Sequence, residues 1–106
     1  MVVRRGEIWW ARLPGPAKTR PVVILSRNAA IQVRALVIVA AVTRTIRAIP
    51  TEVPLGKREG LPQPCVVNAD VLFTTPKSAL FRRIGALAPV KLRALELAVK
   101  FALSLS

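Results

Sequence analysis

Ala35-Leu36-Val37-Ile38-Val39-Ala40-Ala41-Val42 is the longest uninterrupted apolar stretch of the chain, and it runs directly into Thr43 and Arg44. It falls well short of the roughly 20 residues that a membrane-spanning helix needs. Its length and β-branched content suit a strand. A strand that is apolar at every position is covered on both faces, so residues 35–43 read as the central strand of a sheet. The stretch before it, Arg20-Pro21-Val22-Val23-Ile24-Leu25-Ser26, reads as a second strand, with Pro21 tolerated as its first residue. Between the two, Asn28 is placed to cap a short helical turn through Ala29, Ala30 and Ile31. The two strands thus set a guanidinium at the mouth of one and a hydroxyl at the end of the other.

Working outward, Glu7 to Leu13 forms a first strand with imperfect alternation, and Pro14 to Thr19 a breaker-rich loop. After the central strand come a basic connection, Arg44 to Ala48, and a short edge strand, Thr51 to Leu55, whose Pro54 fits an edge. Gly56 to Pro64 is a charged loop. Cys65 to Thr75 is a long strand interrupted by Asn68 and Asp70. Pro76-Lys77-Ser78 turns the chain into a last strand, Phe81 to Leu87.

Pro89 then opens a helix running to about Leu103. Arg93, Glu96, Lys100 and Ser104 make one narrow polar stripe along it, with Glu96 and Lys100 at ion-pair spacing. Nearly everything else on that helix is apolar, so it buries more than one side. Either it packs tightly on the sheet, or an additional partner covers it, a second copy or another protein. The fold class expected is mainly β with a C-terminal helix: five to six short strands, a short helical turn after the second, and a small, strongly bent sheet or barrel. An open α+β sheet is the alternative.

The chain has 106 residues, which is one domain over 1–106, and 53% of them are hydrophobic, which excludes a disordered basic tail. The 17 Lys and Arg against 5 Asp and Glu, with no His, leave a formal net charge of +12. Solubility alone does not require a surface of one sign, so a polyanion or an acidic protein is the partner class indicated. So few carboxylates, one cysteine and no histidine disfavour any metal site. Cys65, followed by two valines, reads as a small buried hydrophobe; a reactive thiol would need an activator. The charged start, Met1 to Arg5, is followed by no apolar leader, which points to a soluble cytoplasmic protein.

Three blocks, Arg20 to Ser26, Val37-Ile38-Val39-Ala40-Ala41-Val42-Thr43 and Pro50-Thr51-Glu52-Val53, resemble the successive blocks of the MazF/PemK-like toxins. Arg5-Gly6-Glu7-Ile8-Trp9-Trp10, Gly60-Leu61-Pro62 leading into Val66-Val67-Asn68, and Arg83-Ile84-Gly85 before the apolar helix are similar as well, in the same order. The resemblance implies an SH3-like β-barrel with a C-terminal helix, assembled as a homodimer. It also implies the toxin of a type II toxin-antitoxin system: an endoribonuclease that cuts single-stranded RNA at short motifs without metal or cofactor, neutralised by an acidic antitoxin protein. The family's catalytic arginine falls on Arg20 and its catalytic hydroxyl on Thr43. Two departures stand out. The loop from Pro14 to Thr19 is shorter than usual, and Asn68 stands where some relatives carry an arginine assigned as an acid.

The chemistry fits residues of these types. Metal-free cleavage uses the 2′-hydroxyl as nucleophile and leaves a 2′,3′-cyclic phosphate, so the protein must align that hydroxyl and stabilise charge on the phosphoryl oxygens. Arg20 suits the second task, and Thr43 can add a hydrogen bond or help alignment. Arg is always protonated and His is absent, so no conventional base is in view; Glu7 and Asp70 are the strand carboxylates that could accept a proton, though Glu7 more naturally pairs with an Arg. Lys18, Thr19, Arg44 and Arg47 are candidate RNA contacts, and Asn68 and Asp70 candidate base-edge partners. Trp9 and Trp10 face opposite ways, one into the core and the other free to stack on a base or an interface, with packing the alternative for both. Arg20 as a solvated strand-mouth residue and Thr43 as an ordinary strand end are the plainer alternatives. The competing functions are a non-catalytic barrel that binds RNA or single-stranded DNA, and a CcdB-like toxin of the same fold that acts on a protein target.

Overall fold

The computed structural model describes residues 2–106, the side chain of Ala17 excepted, so Met1, where the leader reading begins, lies outside the described residues. Six strands follow one another: β1 (Glu7–Arg12), β2 (Thr19–Ile24), β3 (Leu36–Thr43), β4 (Glu52–Leu55), β5 (Cys65–Pro76) and β6 (Leu80–Ala86). Helix α1 (Asn28–Val33) lies between β2 and β3, and α2 (Pro89–Ala102) ends the chain. All pairings are antiparallel, in the order β4-β5-β3-β2-β1-β6. The sheet curls into a half-barrel with α2 packed beside it, so the expectation of a small bent β-sheet with an appended helix is borne out.

Alternation along the strands supplies two cores, one on each face. Ile8, Val23, Ala40, Val42 and Val67 meet Leu95 and Ala98 of α2 on one side. Trp9, Ala11, Val22, Ile24, Val37 and Val39 pack with Ile31 of α1 on the other. The curl has a local cause in β5. Ala40 pairs with Leu72 but its neighbour Ala41 pairs with Asn68, which leaves Ala69, Asp70 and Val71 without β3 partners. Such a bulge bends its strand. Asn68 and Asp70, the polar interruption visible in the sequence, mark it: the Asp70 N–H donates to Asn68 Oδ1 at 2.8 Å.

The barrel closes through a turn rather than a ladder. Residues 57–59 form a 3-10 turn after β4, and this turn lies against β6. Gly60 holds φ at 90°, with the Ile84 carbonyl 2.7 Å from where a Cβ would stand, and a Cβ on Gly85 would collide with the Glu59 carbonyl oxygen. Two glycines therefore permit the seam.

Four details differ from expectation. Leu36 and Ile38 are 51% and 46% exposed, so burial on both faces begins only at Val39, past the part of β3 that nothing covers. Asn28 is the first residue of α1 rather than its cap, because its Oδ1 accepts the Arg5 N–H at 2.7 Å; Arg27 takes the N-cap position. Glu96 pairs with Arg5 at 2.7 Å instead of Lys100, since the Arg5 guanidinium, which also donates to the Leu25 carbonyl, offers a tertiary partner. An exposed i,i+4 pair contributes only a few tenths of a kcal/mol, so the tertiary partner wins. On α2, Leu95 is buried while Leu97, Phe101 and Leu103 stay exposed, so the sheet covers only one side of it. No helix among the described residues is long and apolar enough to cross a membrane.

Filling the seam tests this closure. Gly85→Ala is expected to destabilise the fold by about 1–3 kcal/mol, the usual cost of overpacking. A lower urea midpoint with an unchanged slope checks it; a stability equal to wild type would show that the 57–60 turn moves freely from β6.

Candidate functional site

The β2–β3 ladder pairs Val22 with Ala41, Val23 with Ala40 and Ile24 with Val39. Continued two residues toward the strand ends, the same register sets Arg20 across from Thr43. The ladder stops short of them where Pro21, lacking an N–H, cannot extend it. On the other side of β2, Trp10 pairs with Pro21 and Ala11 with Arg20. Thr43 in turn pairs with Val66 of β5, one residue from Cys65. Four strand ends thereby converge on one end of the sheet.

They line a groove of about 390 Å³. Trp10, Thr19, Arg20, Pro21, Val42, Thr43 and Cys65 line it from the strands, and Arg44, Thr45, Leu61, Pro62 and Gln63 from the segments after β3 and β4. Two guanidiniums and no carboxylate line it, which makes it a place for an anion. Arg20 is half-buried, as is Thr43. The Thr43 Oγ1 accepts the Thr45 N–H at 3.2 Å, which orients the oxygen and leaves the hydroxyl proton for a ligand in the groove. Arg44 Nη1 donates to Gln63 Oε1 at 3.1 Å, linking the connection after β3 to the loop before β5.

Of the residues singled out from the sequence, Thr19, Arg20, Thr43 and Arg44 come together here. Lys18, Arg47, Asn68 and Asp70 lie outside the lining. Lys18 sits at the β1–β2 turn, its carbonyl accepting the Leu13 N–H at 2.8 Å. Arg47 is exposed on the connection after β3, its N–H donating to Glu52 Oε1 at 2.9 Å. Asn68 is buried at the bulge, where its amide oxygen serves Asp70, and Asp70 is exposed.

Of the tryptophans, Trp9 is the core residue and Trp10 enters the groove. Gln63 and Pro62 carried no chemical signal in the sequence beyond belonging to a proline-punctuated loop. Cys65 is buried as expected, its Sγ donating to the Leu55 carbonyl at 3.8 Å, yet it also lines the groove. Burial raises its thiol pKa, Glu59 adds to the rise, and Arg44 opposes it, so Cys65 stays a thiol rather than a thiolate. No group of three or more His, Cys, Asp or Glu side chains converges among the described residues to hold a metal.

Residues 4–103 match the family model described as PemK-like, MazF-like toxin of type II toxin-antitoxin system. The chain belongs to this toxin family. A probable endoribonuclease MazF2 of Mycobacterium tuberculosis (strain CDC 1551 / Oshkosh) is 42% identical over 91 residues, covering 85% of this chain and 87% of that protein. The structure of Mycobacterium tuberculosis toxin MazF-mt6 superposes with a TM-score of 0.88 at 39% identity, covering 94% of this chain and 98% of the other. An endoribonuclease in complex with its cognate antitoxin, from a mycobacterial species, superposes with a TM-score of 0.87 at 31% identity, covering 98% and 97%.

Glu7, one of the two strand carboxylates that could accept a proton, takes the alternative role of an Arg partner. It accepts from Arg83 Nε at 3.0 Å, from Trp9 Nε1 at 3.1 Å and from the Arg4 N–H at 2.8 Å. Burial alone would raise its pKa, but these hydrogen bonds and the Arg83 charge together lower it below the ordinary 4.5. Its contribution to stability is therefore complete above 4.5 and is lost as the pH falls through the lowered folded-state value. In urea unfolding followed down the acid range, Glu7→Gln is expected to lack the part of the fall in stability that begins below pH 4.5 in the wild type. Identical acid limbs in the two proteins would contradict that assignment.

Proposed function

We propose that this toxin is a sequence-selective endoribonuclease that cuts single-stranded RNA in the groove at the end of β2 and β3, acting in the cytoplasm. The observation that carries the reading is the Arg20–Thr43 juxtaposition inside a groove lined by two guanidiniums and no carboxylate. RNA cleavage through the 2′-hydroxyl needs these elements. The 2′-oxygen attacks the adjacent phosphorus, the bond from phosphorus to the 5′-oxygen breaks, and the products are a 2′,3′-cyclic phosphate and a 5′-hydroxyl. The proton leaves the 2′-oxygen and one is delivered to the 5′-oxygen. Arg20 stabilises the charge on the phosphoryl oxygens, through donors that match two of them at once, and can supply the proton to the leaving oxygen. Thr43 donates its hydroxyl to the same phosphate or aligns the nucleophile. Trp10 stacks a base, as aromatic side chains do with single strands. Lys18 and Arg47 extend the phosphate contacts beyond the groove.

The charge distribution supports a polyanionic substrate. Four of the five carboxylates are engaged in structural bonds: Glu7 with Arg83, Glu96 with Arg5, Glu52 with two backbone N–H groups and Glu59 with the Gly56 N–H. The surplus of cations is left to the surface. In this reading the protein works as a homodimer and is held silent by an acidic antitoxin. The exposed apolar residues of α2, and a second groove of about 470 Å³ between α2 and the sheet with Arg5, Arg93 and Lys100 among its lining, support such partners.

Incubation of the purified protein with a long single-stranded RNA in EDTA, followed by end mapping, tests the proposal. Discrete cuts with cyclic-phosphate ends are expected, reduced roughly 100- to 1,000-fold in Arg20→Ala and about 10-fold or more in Thr43→Ala. RNA that is retarded in a gel but left intact would replace the enzyme by a binding barrel. Intact, unbound RNA would point to a protein target.

A further inference from the structure

The surface that carries the groove continues past Trp10 to the edge of the sheet. Trp10 and Arg12 stand two apart on β1 and so share a face, opposite Pro21 and Thr19 of β2. Trp10, Thr19 and Pro21 line the groove, so Arg12 extends that face toward β6. There Trp10 pairs with Arg82 but Ala11 pairs with Leu80, which leaves Phe81 as an extra residue without a β1 partner. A bulge of this kind takes a side chain out of the regular alternation. Phe81 lies against Arg12, whose guanidinium carbon is 3.9 Å from the ring centroid. Register and bulge together set Arg82, Phe81 and Arg12 on the groove's face of the sheet.

The chemistry of this edge is that of a single-strand platform. All three side chains are exposed, and no ion pair holds either arginine among the described residues. Arg83 is the contrast: it pairs with Trp9 on the opposite face, and its charge is spent on Glu7 at 3.0 Å. Cations beside an exposed aromatic ring track a phosphate backbone and stack its bases. Protection of a sheet edge would account for the bulge and the charges. It gains nothing from an apolar ring left 40% exposed. From β2 to β6 is two strand spacings, roughly 10 Å, or about three base rises of 3.4 Å.

We infer that Arg82, Phe81 and Arg12 form a second subsite for the same single-stranded RNA, at the β6 edge beside the groove. Arg82 holds a phosphate there, and a base two or three nucleotides from the cut stacks on the Arg12–Phe81 pair. The inference rests on the RNA-cleaving reading of the groove and gives the strand its direction across the sheet, from Arg20 past Trp10 to β6.

The test couples protein variants to substrate length. The full chain is given an RNA that it cuts, in a long form and in forms trimmed one nucleotide at a time from either end. For the wild type, trimming from one end is expected to lower kcat/KM about 5-fold or more at the step that empties the subsite. Phe81→Leu and Arg82→Ala should lower kcat/KM on the long RNA by a similar factor, and that same trimming step should then cost them little. Arg34→Ala, which removes an equal charge beside α1, should keep the wild-type loss on trimming. Binding of an RNA with a 2′-deoxy nucleotide at the cut, which cannot be cleaved, should show a log–log salt slope reduced by roughly 0.7 in Arg82→Ala.

Wild-type kcat/KM on the long RNA in both variants would overturn the inference. So would a loss that persists undiminished on the trimmed RNA in proteins of normal urea stability, since the groove itself would then be disturbed. Weakened binding of polyglutamate with RNA cutting unchanged would give this edge to an acidic protein instead. Where Phe81→Leu unfolds early, Arg82→Ala decides. Wild-type protein that cuts no RNA fails the functional reading itself, an outcome visible without any variant.

Discussion

The antiparallel register of β2 and β3 is the constraint on which the groove depends. Val22 against Ala41 and Val23 against Ala40 leave one position, two residues on, where Arg20 and Thr43 face each other. A slip of one residue would exchange the faces of every side chain on the strand. Both faces here are buried, Val23 and Ala40 in the core beneath α2 and Val22 and Val39 in the core beneath α1. Either slip would send apolar side chains into mismatched layers, so packing on two sides holds the polar pair in place. Pro21 completes the arrangement by ending the β2–β3 ladder before the pair, while Arg20 stays paired with Ala11 and Thr43 with Val66.

A second consequence of the packing is the separation of charge. The acidic side chains do local structural work: Glu7 holds the start of β1 to β6, Glu96 ties α2 to the N-terminal segment, and Glu52 and Glu59 fasten turns. The groove is left with arginines alone. For a polyanion, such a field speeds encounter and makes binding depend on salt. It says little about which sequence is held.

Much of the fold was legible in the residues. Continuous apolar runs, breakers and the Pro89 helix start located the six strands and α2 to within a residue or two at most ends. The polar interruption at Asn68 and Asp70 announced the bulge without revealing its consequence. The misreadings are local rules overruled by tertiary context, two by a distant partner and one by missing cover. Asn28 has the composition of a cap, but the Arg5 amide reached its oxygen first. Glu96 has a lysine at the favoured spacing, but Arg5 offered a tertiary ion pair. Leu36 and Ile38 look like core residues, but the part of β3 that carries them runs past its cover.

By itself, the sequence determined which segments extend and which coil, because periodicity and backbone stereochemistry are local properties. It determined the sign of the surface through a charge imbalance that no fold could hide. It also singled out Arg20 and Thr43 as a pair, by their places at a strand's mouth and another strand's end. Only the tertiary structure decided that the two share a groove, since antiparallel pairing brings together positions 23 residues apart along the chain. The same holds for Trp10, Gln63 and Cys65, which reach that groove from three further segments, and for Lys18, Arg47, Asn68 and Asp70, which do not line it. Proximity across a curled sheet depends on register and bulge, and those are settled by how whole strands pack, not by any residue's own neighbours.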